Sequence, residues 1–140
     1  VVTNAIITHR GKILLGKKEE KEDHPISGEW HFPGGHIEKG EEPEDGVVRQ
    51  VEEKTVAEVK VHQIVDATAR TWRSEEENTV QIIYHVESEE GVAREKDDLE
   101  EVKWVKPDEV KNYLGTKSCK IVKKRENVEN FLERIAKAPY

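Results

Sequence analysis

Residues 35–56 place carboxylates and an arginine at a spacing suited to holding a metal ion. Glu41 follows Gly35 with five residues between them, and Arg49 follows Glu41 with seven between them. Positions i, i+3 and i+4 of a helix share one face, so a helix here would present one cluster of side chains. That cluster is Gln50, Glu53 and Lys54. Clustered oxygen ligands suit Mg²⁺, and a divalent ion can neutralise a crowded phosphate group and activate water.

The complete spacing resembles the Nudix box, whose family pattern is G-x5-E-x7-R-E-U-x-E-E-x-G-U, where U is an apolar residue. The matching positions are Gly35, Glu41, Arg49, Val51 and Glu53. The departures are Gln50 and Lys54, where the family has Glu, and Val56, where the family has Gly. The resemblance extends over nearly the whole chain and implies a Nudix-like α/β/α sandwich with a mixed β-sheet.

This resemblance implies a hydrolase that cleaves the pyrophosphate linkage of a nucleoside diphosphate linked to another moiety, with Mg²⁺ or Mn²⁺ as cofactor. It implies that positions 50, 53 and 54 hold the metal and activate water, and that Gly35 gives its carbonyl oxygen to the metal. Arg49 and Glu41 would form a salt bridge that orients the carboxylates. We therefore expect Glu53 to point into a cleft beside the Gly34–Gly35 segment, with Arg49 paired to Glu41 or Glu53.

A further carboxylate is expected from the acidic run 97–101. Glu100 or Glu101 lies where similar proteins place another metal ligand or base, although the run also fits a solvated surface. Glu52 is a poorer substitute, because at about 100° per residue it points away from the face formed by positions 50, 53 and 54.

The departures remove most of the negative charge that a metal needs. Gln50 offers a neutral oxygen but cannot act as a base, and Lys54 carries a positive charge. A unit charge at about 4 Å is worth roughly 4 kcal/mol near a protein surface, so metal binding would weaken by about a thousandfold. Two functions stay open: a hydrolase weakened by Gln50 and Lys54, or a nucleotide-binding module that hydrolyses its ligand slowly or not at all.

Aromatic and basic residues outside the box suggest how a nucleotide could be held. An aromatic plane beside guanidinium groups can stack on a base and pair with phosphates. The candidates are Trp30, Arg70, Trp72 and Arg73. Alternatively, Trp30 packs beneath the glycine-rich segment and the arginines are solvated. A zinc site at His24, His31 and His36 is not favoured, because they lack cysteine partners and helical spacing.

Composition narrows the class of protein. A chain of 140 residues fits one domain over 1–140. The net charge of −7 argues against a nucleic-acid polymer as partner but allows a small nucleotide derivative. Cys119 is the only cysteine, so neither an internal disulfide nor a cysteine zinc site is expected. With no membrane-length apolar run and no signal-peptide pattern, we expect a cytoplasmic protein without membrane contact. Homodimers are common among similar proteins, but the sequence does not fix the oligomeric state.

Hydrophobic periodicity predicts the elements that position these residues. Predicted strands span 1–8, 12–16, 29–32, 58–70, 78–88 and 102–105. Predicted helices span 43–57, a short segment from 107 to Gly115, and 121–136. The two glycines after Pro33 should form a loop in which the backbone can approach a ligand closely.

Overall fold

The computed structural model describes residues 1–20, 28–71, 78–114 and 125–138. The strands are β1 (Val2–His9), β2 (Lys12–Lys18), β3 (Trp30–His31), β4 (Gly34–His36), β5 (Val59–Thr71), β6 (Asn78–Ser88) and β7 (Leu99–Val105). The helices are α1 (Pro43–Thr55), α2 (Val110–Tyr113), which follows a 3-10 turn at Pro107–Glu109, and α3 (Glu126–Lys137). Within the described residues the predicted elements are therefore present, with shifts at their ends, and the predicted helix end at Gly115 lies outside these residues. The last predicted strand begins earlier, at Leu99.

The strands form one mixed sheet in the order β3-β2-β1-β6-β5, with β4 paired to β1 and β7 paired to β2. The central strand β1 runs antiparallel to β2 and parallel to β6. Its residues Ala5, Ile6 and Ile7 are fully buried, as expected for a strand covered on both faces.

Two apolar clusters cover the two faces of this sheet. On one face, Val47 and Val51 of α1 pack with Ile7 and Tyr84. On the other face, Val110 of α2 and Phe131 of α3 join a separate cluster around Ile6. The arrangement is the predicted α/β/α sandwich. None of the helices in the described ranges is long and apolar enough to cross a membrane.

The segment after Pro33 is a strand, which corrects the prediction of a loop. Gly34 and Gly35 pair with Asn4 and Thr3 of β1. A Cβ atom at Gly34 would lie 2.0 Å from the Thr3 carbonyl oxygen, so only glycine allows this contact. The backbone of Gly34 therefore approaches β1 rather than a ligand, and the pairing fixes β4 beside α1.

Helix α1 ends at Thr55, earlier than predicted, and its last turn is closed by the segment before β7. Val56 adopts a left-handed conformation with φ of 66°, and its N–H donates to the Glu52 carbonyl oxygen. The Arg94 N–H donates to the Thr55 carbonyl, and the Lys96 N–H donates to the Lys54 carbonyl. These bonds satisfy carbonyls that a helix end leaves without partners.

Replacing Val56 by glycine should raise the free energy of unfolding by about 1 kcal/mol. A β-branched residue in the left-handed region is strained, and glycine adopts it without a steric penalty. Urea unfolding at pH 7 measures the change. The matched control is Val80→Gly in β6, where the backbone is extended and the valine is 45% exposed. That substitution should lower stability by a similar amount, and a loss in both variants would contradict the strain at Val56.

Helix α3 is attached to β5 through a buried carboxylate. Asp66 accepts hydrogen bonds from Arg125 Nε at 2.5 Å and from Arg125 Nη2 at 2.9 Å, and Asn127 adds another at 3.1 Å. The Arg125 guanidinium lowers the pKa of Asp66 below its ordinary value. The predicted residues 121–124 of this helix lie outside the described residues.

Next to α3, His85 of β6 is partly buried. Its ring contacts Phe131 at a centroid distance of 4.8 Å and stacks on His62 at 4.8 Å. Its Nε2 lies 2.8 Å from Thr8 Oγ1. Burial lowers the pKa of His85 from 6.5 to about 4, and the neighbouring His62 lowers it further, whereas Glu87 opposes the shift. His85 is therefore neutral in the folded protein at pH 7.

Because the pKa of His85 is lower in the folded than in the unfolded chain, acid favours unfolding. The contribution of neutral His85 should be complete above about pH 6.5 and lost as the pH falls towards about 4. We expect a loss of about 2 kcal/mol across that window, after discounting for partial exposure. Urea unfolding at several pH values measures it. The variant His85→Gln should flatten the slope, whereas the exposed control His36→Gln should keep it. An unchanged slope in His85→Gln would contradict the assignment.

Candidate active site

Arg49 connects the carboxylates of Glu41 and Glu53 in the predicted manner. Its Nε and Nη2 donate to the two carboxylate oxygens of Glu41 at 2.8 and 3.0 Å. Its Nη1 donates to Glu53 Oε2 at 3.1 Å, one turn further along α1. The predicted pairing of Arg49 with Glu41 or Glu53 is confirmed, and both pairs form at once.

Local sequence explains why Glu41 reaches Arg49. The Glu38 N–H donates to Glu41 Oε1 at 2.9 Å, which holds the carboxylate in the turn before α1. Gly46 leaves room for it, because a Cβ there would lie 3.0 Å from Glu41 Oε1. The hydrogen bond from Arg49, assisted by that from Glu38, lowers the pKa of Glu41 to about 2. Glu41 therefore stays ionised and orients Arg49.

Gln50 is an interior residue and only 2% exposed. Its Oε1 accepts a hydrogen bond from Thr3 Oγ1 at 2.7 Å, and its Nε2 donates to the His36 carbonyl oxygen at 2.6 Å. The amide thus ties α1 to β1 and β4. Glutamate could accept the bond from Thr3, but it would face the His36 carbonyl without a proton to donate.

Lys54 meets a carboxylate from outside the box. Its Nζ lies 3.2 Å from Oδ1 and 3.3 Å from Oδ2 of Asp98, in the segment before β7. Lys18 of β2 also pairs with Asp98 through Oδ2. All three side chains are largely buried, with exposed fractions of 15% for Lys54, 5% for Lys18 and 17% for Asp98. The contact of Lys54 with the buried Oδ1 is an ion pair that lacks hydrogen-bond geometry.

The Lys54 ammonium lies beside the glycine-rich segment. A Cβ placed on Gly35 would be 3.9 Å from Lys54 Nζ and 3.6 Å from Gln50 Nε2. Gly35 therefore faces Gln50 and Lys54, two of the positions at which the family pattern has glutamate. The side chain of Glu53 is 53% exposed and directed to Arg49.

These residues do not fit a divalent metal ion. Within the described ranges, no group of three histidine, cysteine, aspartate or glutamate side chains could hold one. Asp98 is already paired with two ammonium groups, and Glu53 is paired with Arg49. A metal at Gly35 would have to displace the positive charge of Lys54, which opposes it directly.

The acidic run 97–101 places Asp98, and not the predicted Glu100, in contact with Lys54. Glu100 lies near Lys17 of β2, with Oε2 4.0 Å from Nζ and an exposed fraction of 56%. Glu101 is exposed and pairs in register with the same Lys17. The predicted metal set of Gly35, Glu53 and Glu100 is therefore not assembled as a carboxylate cluster.

Glu52 lines an open groove of about 460 Å³ on the outer side of α1, together with Glu53 and Lys96.

Among the predicted nucleotide-binding residues, the structure describes only the side chain of Trp30. Its ring packs edge-on against Tyr113 of α2 at a centroid distance of 5.9 Å. It also lies against the apolar cluster that contains Phe131, so the ring is a partly buried, packed side chain. Trp72 and Arg73 lie outside the described residues, as does the side chain of Arg70. Their roles as substrate-binding residues stay predictions.

Of the histidines considered for zinc, the structure describes His31 and His36. His31 is buried, and its Nδ1 donates to the Gly16 carbonyl oxygen at 2.9 Å. His36 is exposed, and its backbone carbonyl rather than its ring contacts Gln50. His24 lies outside the described residues.

Sequence reasoning missed Asp98 and Lys18. Asp98 belongs to the acidic run 97–101, which also fits a solvated surface. Lys18 follows the predicted strand 12–16, and no local pattern pairs it with a carboxylate. One signal was available, because a lysine on the inner face of the box helix requires a buried counter-ion. The carboxylates of the 97–101 run were the candidates nearest to the predicted site.

Comparisons with known proteins concern the family and the fold. A family model described as the NUDIX domain matches residues 1–124. A "MutT-like protein" of Streptomyces ambofaciens is 29% identical over 114 residues, which make up 81% of this chain and 68% of that protein. An "ADP-ribose pyrophosphatase" of Methanocaldococcus jannaschii is 29% identical over 104 residues, which make up 74% of this chain. That match spans only 60% of the pyrophosphatase.

A solved structure shows the same fold with a ligand bound. The NUDIX domain of Shewanella oneidensis NrtR, complexed with ADP ribose, superposes with a TM-score of 0.69 and 21% identity. The superposition covers 96% of this chain and 86% of that chain. At this identity the likeness establishes the fold alone.

Proposed function

This chain belongs to the NUDIX family, and on that premise we propose that it binds a nucleoside diphosphate linked to another moiety and hydrolyses the pyrophosphate linkage only slowly. One observation carries the proposal: the Lys54 ammonium, paired with Asp98, lies beside Gly35, where a metal-dependent hydrolase needs carboxylates. Membership of this family, which includes a protein described as an ADP-ribose pyrophosphatase, supports pyrophosphohydrolase activity as the chemistry to test.

Two relatives support this ligand class. One relative is an ADP-ribose pyrophosphatase, and one structural neighbour carries ADP ribose. A nucleoside diphosphate joined to a sugar is therefore the first ligand to test. Trp30, Arg70, Trp72 and Arg73 are the proposed contacts for its base and phosphates. Mg²⁺ or Mn²⁺ is the cofactor that the family implies for any residual turnover, although the residues beside Gly35 do not fit such an ion as they stand.

The chain's own residues would contribute positioning rather than proton transfer. Arg49 is held by Glu41 and Glu53, which keeps the outer face of α1 rigid. Gln50 cannot take a proton from water, and its amide is committed to Thr3 and His36. With Gln50 and Lys54 in the triad, Glu53 is the only carboxylate there that could act as a base.

A second candidate is a binding module that does not hydrolyse its ligand at all. The ion pair between Lys54 and Asp98 favours this candidate, because both side chains are largely buried and the pair is therefore part of the fold. The two candidates share the ligand and differ only in turnover.

The test is a panel of nucleoside triphosphates, nucleoside diphosphate sugars and dinucleotides. Each compound is titrated by calorimetry and then assayed for released phosphate and nucleotide with Mg²⁺ and with Mn²⁺. We expect at least one nucleoside diphosphate derivative to bind and its hydrolysis to lie well below the median enzyme turnover of about 10 per second. Fast hydrolysis would contradict the reading of Lys54, and a panel without any binding would contradict the nucleotide role.

A further inference from the structure

On the side of the sheet that α1 covers, a strip of apolar side chains on β5 and β6 is exposed to solvent. The members of this apolar strip are Ile64, Ala67, Ala69, Val80 and Ile82. Ile64 is 55% exposed and Val80 is 45% exposed, and both alanines are exposed as well. Ile82 is partly buried, because it also packs against the cluster that contains Val47 of α1. The strip therefore continues the covered apolar face beyond α1.

The register of β5 with β6 places the strip on one face. Ile64 lies opposite Tyr84 and Ala67 lies opposite Ile82, although three positions separate Ile64 from Ala67 in the chain. A β-bulge between Ile64 and Asp66 supplies the extra residue. Each member of the strip is uncharged, in a chain of which 38% of the residues are charged. A contiguous apolar surface with a polar rim is typical of an interaction site.

The dimensions of the strip fit one helix. From Ile64 to Ala69 the strand extends for about 17 Å, and two neighbouring strands are about 10 Å wide. An α-helix with its side chains is about 10 Å in diameter, and about 11 residues cover this length. The small side chains of Ala67 and Ala69 allow such a helix to approach the sheet closely. The strip covers roughly 200 Å² in projection, whereas each partner in a standard interface buries about 800 Å², so the strip alone is too small to hold a second copy of this chain.

The rim of the strip on the side of α1 is acidic. Glu42 and Glu44 lie at the start of α1 and are exposed, one turn before Val47, which packs with Tyr84. Burial raises the pKa of the Tyr84 hydroxyl, and the nearby charges of Glu44 and Glu42 raise it further. A helix on the strip would therefore have negative charge on the flank that faces α1. The net charge of −7 favours a basic partner as well.

We propose that the apolar strip is a docking site for an amphipathic helix of another protein, with aliphatic side chains towards the sheet and lysine or arginine towards Glu42 and Glu44. Such a helix would contact the sheet through side chains at i, i+3, i+4 and i+7, as amphipathic helices do in apolar grooves. It would pack beside α1 at the usual distance of about 8–10 Å between helix axes. This partner site goes beyond the proposed function, because it uses residues outside the segment around Gly35.

The test is titration of the ¹⁵N-labelled unmodified chain with a designed helical peptide, followed by amide chemical shifts at physiological salt. The peptide has about 14 residues, slightly longer than the strip, with leucine at i, i+3, i+4 and i+7 and lysine elsewhere. We expect saturable micromolar binding, as for a small interface, with the shifts concentrated in β5, β6 and the start of α1. A matched peptide with glutamate in place of lysine should bind at least about tenfold more weakly, since one lost charge contact is worth that much. Absent binding, shifts elsewhere, or equal binding of both peptides would overturn the proposal.

Paired variants separate the apolar contact from general attraction to an acidic protein. Ile64→Thr with Val80→Thr keeps side chains that suit a strand but removes apolar surface. This variant should weaken binding of the lysine peptide by at least about tenfold. The control is Val92→Thr, at a valine that is 61% exposed away from the strip, and it should bind as the unmodified chain does. Unchanged affinity in the double variant would overturn the proposal.

A second pair of variants tests the acidic rim. Glu42→Gln with Glu44→Gln should weaken binding of the lysine peptide and leave binding of the glutamate peptide equal or stronger. The control is Glu89→Gln with Glu90→Gln, which removes the same charge from exposed positions after β6. Equal losses in the two variants would show that the attraction is general and would overturn the assigned orientation of the helix.

Sedimentation of the unmodified chain without peptide tests the alternative occupant, a second copy. We expect a monomer at the protein concentration of the titration, because the strip is small and the chain is strongly acidic. A dimer that dissociates in Ile64→Thr with Val80→Thr would assign the strip to a second copy and overturn the proposal.

Discussion

Replacing Gln50 and Lys54 together by glutamate should tighten Mg²⁺ binding by about a thousandfold or more. The change removes a repelling ammonium and adds two anionic oxygen donors on the face that also carries Glu53. Each unit charge at about 4 Å is worth roughly 4 kcal/mol, and about 1.4 kcal/mol corresponds to a factor of ten. If the metal limits catalysis, hydrolysis should rise by orders of magnitude on the same substrate.

The structure also predicts that the double variant loses stability, which the charge pattern alone does not specify. A glutamate at position 50 would point a carboxylate at the His36 carbonyl oxygen, which now accepts a hydrogen bond from Gln50. A glutamate at position 54 would face Asp98. The double variant should therefore be markedly less stable than the natural chain in EDTA, and Mg²⁺ should restore its stability by binding the folded form.

Thermal unfolding with and without Mg²⁺ measures how far the ion stabilises the folded double variant, and calorimetry measures the affinity for Mg²⁺. The control is Lys60→Glu with Gln63→Glu, which makes the same change of charge at exposed positions on β5. That control should respond to Mg²⁺ no more than the natural chain. Equal turnover and equal Mg²⁺ response in the site variant and the natural chain would show that α1 is not the impaired catalytic element.

Replacing Asp98 by asparagine should cost about 3 kcal/mol of unfolding free energy. The substitution keeps the shape but removes the carboxylate that Lys18 and Lys54 both contact. Breaking a buried ion pair by removing one partner is costly, because the remaining charge stays in a poorly solvated place. Urea unfolding at pH 7 measures the loss.

An exposed ion pair provides the comparison for Asp98. The Nζ of Lys111 lies 3.1 Å from Oε1 of Glu129, and the two side chains are 45% and 33% exposed. Glu129→Gln is chemically equivalent to Asp98→Asn and should cost less than about 1 kcal/mol, as exposed pairs usually do. Similar small losses in both variants would show that the cluster around Asp98 is solvated and does not organise the site.

Much of the fold was predictable because hydrophobic periodicity and turn residues determine where the elements lie. The strand at residues 58–70 and the helix beginning at Pro43 were predicted close to their observed bounds. The box spacing also predicted the pairing of Arg49, because helical geometry places positions 49 and 53 one turn apart. These features depend on residues close together in sequence.

The features that sequence reasoning missed depend on contacts between distant residues. The strand at Gly34–His36 exists because Gly34 fits against the backbone of Thr3, which no local pattern reveals. Gln50 is buried by β1 and β4, and so it acts as a structural link rather than as a neutral metal ligand. The choice of Asp98 over Glu100 depends on the register of β7 with β2, which the sequence does not specify.

We propose that Lys54 and Asp98 lie where a metal-dependent relative would hold a divalent ion. The most direct test is a crystal of the natural chain soaked in Mn²⁺ and measured for anomalous scattering. We predict that Lys54 Nζ stays on Asp98 and that no manganese peak lies within about 2.6 Å of a carboxylate oxygen of Glu53 or Asp98, the upper range for such ligands. A manganese peak shared by those carboxylates and the Gly35 carbonyl oxygen, with the Lys54 side chain displaced, would contradict the account.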